Sequence, residues 1–232
     1  MKNLAVIPAR GGSKRIPQKN IREFCGQPLI AYSIQAALQS NCFDKVIVST
    51  DSIEIANVAK QYGAEVPFMR PADLADDYTG TTAVTRHAIE TMQAAGFEFE
   101  NTCCIYATAP FLQPEYLQQG LQILKENKSK SYAFSVTSYA FPIQRSICIN
   151  ESGVSIMYPE HIGKRSQDLT EAYHDAGQFY WGRSADYLAR KKRIFSEHSY
   201  PIILPRHLVQ DIDTLEDWQR AELMYTAYMQ QK

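Results

Sequence analysis

LAVIPARGGSKRIPQKN (residues 4–20) joins a short, wholly apolar run to a basic loop containing a Gly-Gly pair. Residues 4–8 have the length and composition of a buried strand. A loop of glycine and cations directly after such a strand lies where open α/β sheets bind nucleotides, at the carboxyl end of a parallel strand. Gly11 and Gly12 let the backbone come close to a phosphate, Ser13 offers a hydroxyl, and Arg10, Lys14 and Lys19 supply charge. The spacing is neither G-x-x-x-x-G-K-[ST] nor G-x-G-x-x-G, so side chains and glycine amides would cradle the anion. The plain alternative is a solvated surface turn.

Outward from this loop, strand-like runs alternate with helical patterns through the first hundred residues, as in βαβ units on a largely parallel sheet. Residues 28–40 read as a helix and 45–50 as a second strand. Residues 52–62 read as a helix with Asp51 and Glu54 as an acidic capping pair and Gly63 as its stop, and 65–69 as a third strand. A helix at 82–95, a strand at 103–107, a helix from Pro114 to 126 and a strand at 131–138 follow. Residues 145–158 then read as a hairpin turning at 150–153, and 159–175 as a polar irregular stretch long enough to suggest function or an interface. Strands at 179–182 and 201–204 flank a helix at 184–192, and the last helix starts at Thr214 with Asp217 as capping partner. The expectation is one α/β domain over residues 1–232, a doubly wound, mostly parallel sheet with a β-rich insertion at 141–175.

The chain has 232 residues, 24 Lys+Arg against 25 Asp+Glu and 45% apolar residues, the composition of one ordinary soluble domain. Disulfide-rich and disordered classes are excluded. No apolar run approaches the ~18 residues of a membrane span, and the first residues lack the apolar stretch of a signal peptide, so a cytoplasmic location is expected. The five cysteines, Cys25, Cys42, Cys103, Cys104 and Cys148, contain no C-x-x-C and read as reduced packing residues. Residues 1–22 hold six cations and no acid, whereas the remainder is acidic on balance. A local cationic site in a near-neutral chain suits a small anionic ligand better than a nucleic acid.

QDIDT (210–214) places Asp211 and Asp213 at i, i+2 just before a helix, where an extended segment would point both to one face. Two such carboxylates suit Mg²⁺, which takes one or two carboxylates plus substrate phosphates. They also suit the positive end of the helix dipole, the simpler reading.

IPARGGSKRIPQKNI (7–21), VSTDSIEIA (48–56), RPADLADD (70–77), TAPFL (108–112) and QDIDT (210–214) occur in this order across nearly the whole chain. Together they resemble the cytidylyltransferases that activate nonulosonic acids as CMP-sugars on a nucleotide-diphospho-sugar transferase-like fold. CGQPLIAYSI (25–34), YATAPFL (106–112), DAGQFYW (175–181) and QDIDTLEDW (210–218) are most similar to the bacterial branch that takes pseudaminic acid. The resemblance implies attack of the sugar's anomeric hydroxyl on the α-phosphorus of CTP, releasing pyrophosphate, with Mg²⁺ as cofactor. It also implies a homodimer with neither nucleic-acid nor membrane partner, and a product used for bacterial surface-glycan or flagellin glycosylation.

Residue by residue, the resemblance puts Arg10, Gly11, Gly12, Ser13, Lys14 and Lys19 on the triphosphate, Asn20 and Arg70 on the nucleotide, and the metal on Asp211 and Asp213. Arg10, Lys19, Asp211 and Asp213 form the implied catalytic set. Tyr106, Thr108, Gln178, Phe179 and Tyr180 are the implied sugar-binding residues. Where the acylneuraminate branch reads Q-P-T-S-P, this chain has Tyr106-Ala-Thr-Ala-Pro110, and Ala176-Gly177 replaces an Asn-Gly. These departures favour a different nonulosonic acid, although Tyr106 and Phe179 also fit as strand-packing aromatics. Legionaminic and acylneuraminic acids are the alternatives within the class, and a nucleotide-binding module without turnover is the alternative outside it.

His174 and Asp175 are adjacent on an extended chain, lack an accompanying nucleophile motif and are assigned to the border of the sugar pocket. In the resembling family the 141–175 region crosses between subunits, which would bring Lys164 and Arg165 to the neighbour's site; Arg165 also reads as a solvated loop cation. The hairpin's apolar face, with Ile147, Ile149, Val154 and Ile156, points to a covering partner.

Overall fold

The computed structural model, which describes residues 2–231, places the opening apolar run in β1 (Asn3–Pro8), where Leu4 to Ile7 are wholly buried. Successive strand residues point to opposite faces, so an apolar run without alternation requires cover on both sides. Leu4 and Val6 pack with Ala88, Ile89 and Met92 on one face, and Ala5 and Ile7 with Ile30, Ile34 and Val48 on the other. A small ribbon of β2 (Glu23–Phe24) and β3 (Gln27–Pro28) comes next, then α1 (Leu29–Gln39), β4 (Lys45–Ser49), α2 (Ile53–Gln61) and α3 (Thr81–Ala94). These lead to β5 (Asn101–Ile105), α4 (Pro114–Glu126) and β6 (Tyr132–Ser138). The hairpin of β7 (Ile147–Asn150) and β8 (Gly153–Ile156) interrupts the alternation, and β9 (Tyr173–Arg183), α5 (Ser184–Ala189), β10 (Ser199–Ile203) and α6 (Leu215–Met229) follow.

The central sheet has six strands in the order β10-β6-β9-β5-β1-β4. β1 is parallel to β4 and β5, and β6 to β10, whereas β9 is antiparallel to both β5 and β6. The expected doubly wound, mostly parallel sheet is present, but the short run at 179–182 is the end of an 11-residue reversed strand. The path explains the reversal. After β6 the chain spends 139–172 on the hairpin and short turns, with no helical crossover to return it to the opposite edge, so it re-enters in the reverse direction.

Other local expectations shift for identifiable reasons. Residues 65–69 form no strand; only isolated bridges at Glu65 and Met69 meet β4's edge. Asp51 does not cap α2: Ser52 does, its Oγ accepting from the Ile55 amide at 3.3 Å, which leaves Asp51 free to turn toward the basic loop. β5 ends at Ile105, so 106–112 is loop at the carboxyl edge of the sheet. Thr214 and Asp217 do cap α6 reciprocally. Two of the cysteines, Cys25 and Cys148, are exposed rather than packed. In the hairpin, Ile147 lies opposite Ile156 and Ile149 opposite Val154, and the four side chains are 46 to 83% exposed.

Candidate active site

The basic loop leaves β1 at the carboxyl edge of the sheet and is fixed from behind. Ile16 is wholly buried, and Asn20, itself buried, donates from Nδ2 to the Arg10 carbonyl at 3.0 Å. Lys19 spans to the segment before α6, donating to the Ile212 carbonyl at 2.6 Å and lying 3.3 Å from Asp213 Oδ1. Arg15 approaches the other oxygen of Asp213 at 2.9 Å. Two stretches nearly two hundred residues apart thus form one wall.

The cleft they enclose, about 500 Å³, brings together Arg10, Ser13, Lys14, Lys19, Asn20, Arg70, Tyr106, Thr108 and Asp213. Five cations and two carboxylates line it, so its field favours an anion. Arg70 is the most telling of them. Its side chain is 4% exposed, its Nε and Nη2 have no hydrogen-bond partner, and Asp51 stands 3.7 Å away. Burial pulls its pKa down, Asp51 opposes that, and Arg10 adds to it. A buried guanidinium with unpaired donors beside a cleft is a binding group lacking its acceptor.

Asp77, on the loop before α3, occupies the other cations. It accepts from Arg10 Nη1 at 2.6 Å and from Lys14 Nζ, and these two contacts hold its carboxyl below the usual range. Arg10 also donates to the Asp76 carbonyl at 2.8 Å. Asp77, Thr79 and Thr81 line the cleft without having been singled out; the acidic end of RPADLADD was the available signal.

Several expected residues lie elsewhere. Gly11 is off the cleft: its amide donates to Asp51 Oδ1 at 2.9 Å, and a Cβ there would come within 3.1 Å of Ser52 Cβ, so its glycine serves close loop–helix packing. Gly12 also does not line the cleft. Phe179 is wholly buried in the core, where alternation along β9 turns it toward α4. Gln178 is buried too, its Nε2 donating to the Leu208 carbonyl. Tyr180 is on the opposite face, against Tyr106 at 5.4 Å between centroids. Arg165 is exposed, pairs with Asp168 at 2.9 Å and belongs to the hairpin region, outside the cleft of its own chain.

Asp211 borders a second hollow that shares Tyr106 with the first and also reaches His174, Asp175 and Arg206. Ile212 between the aspartates is wholly buried and pins the segment. Burial and then the charge of Asp213 raise the Asp211 carboxyl, with Lys19 acting against them. The two carboxylates therefore feel each other across Ile212. Among the described residues no group of three or more His, Cys, Asp or Glu converges on one point. A hard divalent ion held by two carboxylates and completed by phosphate oxygens and water fits this donor set.

A cytidylyltransferase family model matches residues 4–213. Over 226 residues, the chain is 50% identical to a pseudaminic acid cytidylyltransferase of Campylobacter jejuni subsp. jejuni serotype O:2, covering 97% of each chain. It is 38% identical to a CMP-N,N'-diacetyllegionaminic acid synthase of Legionella pneumophila, covering 96% of this chain and 95% of that one. Among solved structures, CMP:2-keto-3-deoxy-manno-octonic acid synthetase with CTP superposes with a TM-score of 0.70 at 17% identity, over 98% of this chain and all of that one, which supports the fold.

Proposed function

Because this chain belongs to the cytidylyltransferase family, we propose that it couples CTP to pseudaminic acid, giving CMP-pseudaminic acid and pyrophosphate. The observation that carries this reading is the cationic cleft facing Asp213, with the buried Arg70 guanidinium beside it, ion-paired to Asp51 at 3.7 Å but with Nε and Nη2 making no hydrogen bond. The relative that is 50% identical supports pseudaminic acid as the sugar.

On this reading Arg10, Ser13, Lys14 and Lys19 bind the triphosphate, Lys14 and Arg10 exchanging Asp77 for phosphate oxygens. Asn20 and Arg70 hold the nucleoside end. Tyr106 stands between the cleft and the hollow beside Asp211, where the sugar acid enters, with Thr108 on the cleft side and Tyr180 backing Tyr106. Lys19 and Arg15 hold Asp213 in position and, with Arg10, neutralise charge that grows on the phosphates as the anomeric oxygen attacks the α-phosphorus. One of the two aspartates, Asp211 at the hollow or Asp213 at the cleft, receives the proton of the sugar hydroxyl directly or through water. Asp211 and Asp213 would hold Mg²⁺, which when bound supplies further neutralisation of the phosphates.

The exposed hairpin supports a homodimer in which Lys164 and Arg165 reach the partner's site. The product is an activated sugar for transfer to a bacterial surface glycan or flagellin. Pyrophosphate release from CTP and Mg²⁺, measured across pseudaminic, legionaminic and N-acetylneuraminic acids, tests the reading. Fastest turnover with pseudaminic acid is expected. Faster turnover of another acid would replace the sugar, and CTP binding without pyrophosphate release would leave a nucleotide-binding module.

A further inference from the structure

Asp175 stands outside the cationic cleft. The pairing of β9 with β6 shifts register between Phe134 and Val136, and the surplus residues of β9 form a bulge in which Gly177 adopts φ 62°. Ser135 secures the bulge, its Oγ accepting from the amides of Gln178 and Phe179 at 3.3 and 3.2 Å. The turn brings Asp175 back over its own strand. One carboxylate oxygen accepts from the Gly177 amide at 2.9 Å and the other from the Tyr180 hydroxyl. Tyr180 is buried, stacked on Phe134 at 5.9 Å with planes 9° apart, so the phenol that holds the carboxylate cannot itself drift.

Asp175 is nonetheless exposed, and it lines the hollow shared with Asp211. Each oxygen retains a second lone pair, which makes the group a fixed acceptor facing a ligand space. Ala140, Ala176 and Val209 line the same hollow and offer small apolar surface next to the carboxylate. An N–H donor carrying a methyl group a few atoms away matches that pairing of acceptor and apolar wall; a bare hydroxyl uses only half of it.

We propose that Asp175, held by Tyr180 and the Gly177 bulge, accepts a hydrogen bond from an acetamido N–H of the sugar acid and is a specificity-determining residue of this enzyme. The proposal rests on the functional reading above. It is tested by kinetics on wild type, Asp175→Ala, Asp175→Asn and Tyr180→Phe with the sugar varied, and separately with CTP varied. Three sugars are used: pseudaminic acid, and its two isosteres with one acetamido group replaced by acetoxy, which keep carbonyl and methyl but lack the N–H.

Asp175→Ala is expected to lose roughly 10- to 100-fold in kcat/KM for pseudaminic acid, with the KM for CTP unchanged. Asp175→Asn, which keeps one acceptor oxygen, and Tyr180→Phe, which loosens the anchor, lose less. For one of the two acetoxy isosteres the wild type shows the same loss and Asp175→Ala discriminates little. Equal discrimination by wild type and variant, or a parallel rise in the KM for CTP, would overturn the assignment. If Asp175→Ala fails to fold, the same comparison in Asp175→Asn decides. Wild type that releases no pyrophosphate with any sugar acid overturns the functional reading and this inference with it, whereas active wild type with unaffected variants overturns Asp175 alone.

Discussion

Arg10 and Lys14 are engaged by Asp77, so on the proposed reading a triphosphate competes with a carboxylate of the same chain for them. Both pairs are open to solvent, Lys14 at 80% and Asp77 at 36% exposure, so water and salt screen them and a ligand can displace them. Asp77→Asn is therefore expected to tighten CTP binding several-fold in calorimetry at low salt. Weaker binding would show that Asp77 instead aims the two cations at the ligand. Arg10→Ala is expected to raise the KM for CTP and lower kcat together if, as proposed, its charge meets phosphate before and during transfer. Unchanged steady-state constants would return residues 8–20 to the status of a surface turn.

Among the elements, α4 and α6 show how local sequence and packing combine. Gly120 lies in the middle of α4, where alanine would ordinarily favour the helix by up to about 1 kcal/mol. Here a Cβ would fall 2.5 Å from Trp181 Cδ1 and 3.2 Å from Phe179 Cε2. Trp181 cannot retreat: its indole donates to the Leu117 carbonyl at 2.9 Å and its ring stacks on Phe43 at 4.8 Å. Gly120→Ala is expected to destabilise by about 1–3 kcal/mol, read as a melting temperature lower by several degrees. At the start of α6, Asp217 accepts from the amides of Asp213 and Thr214 at 3.1 and 2.8 Å, and Thr214 Oγ1 accepts from the Asp217 amide at 3.1 Å. The helix cap thus also fixes the backbone of Asp213, and Thr214→Ala is expected to cost about 1 kcal/mol in thermal unfolding.

For the whole molecule, the hairpin is the outlying feature. Ile149 and Val154 face one another across β7 and β8 at 83 and 67% exposure, an apolar surface that nothing among the described residues covers. Ile149→Asp is expected to convert a dimer to a monomer in light scattering coupled to size exclusion, and an unaltered mass would exclude the hairpin from the interface. Mixing Arg165→Ala with Asp213→Ala tests the composite site. Subunit exchange produces one site with both residues intact, so activity is expected to return, and a mixture that exchanges yet remains inactive would confine Arg165 to its own surface loop.

Much of this was legible in the chain because it depends on near neighbours. The apolar run at 4–8 declares a strand buried on both faces, Pro114 opens α4, Thr214 and Asp217 cap α6, and the cations of 10–19 follow the first strand directly. What depended on distant segments was not. Whether Phe179 faces ligand or core is set by the register of β9, and that register is broken by a bulge against β6. The direction of β9 follows from a detour through the hairpin, not from its own residues. Asp51 reads as a helix cap until the fold brings Gly11 and Arg70 beside it, and Asp77, the last residue of RPADLADD, has no role in the sequence until it meets Arg10 and Lys14. Sequence by itself determined most of the elements, though not the loop at 65–69 or the length of β9, and the kind of charge at the site, because strand burial, capping and composition act over a few residues. Only the tertiary structure decided which side chains share the cleft, because pairing register and chain path are settled by contacts across the whole molecule.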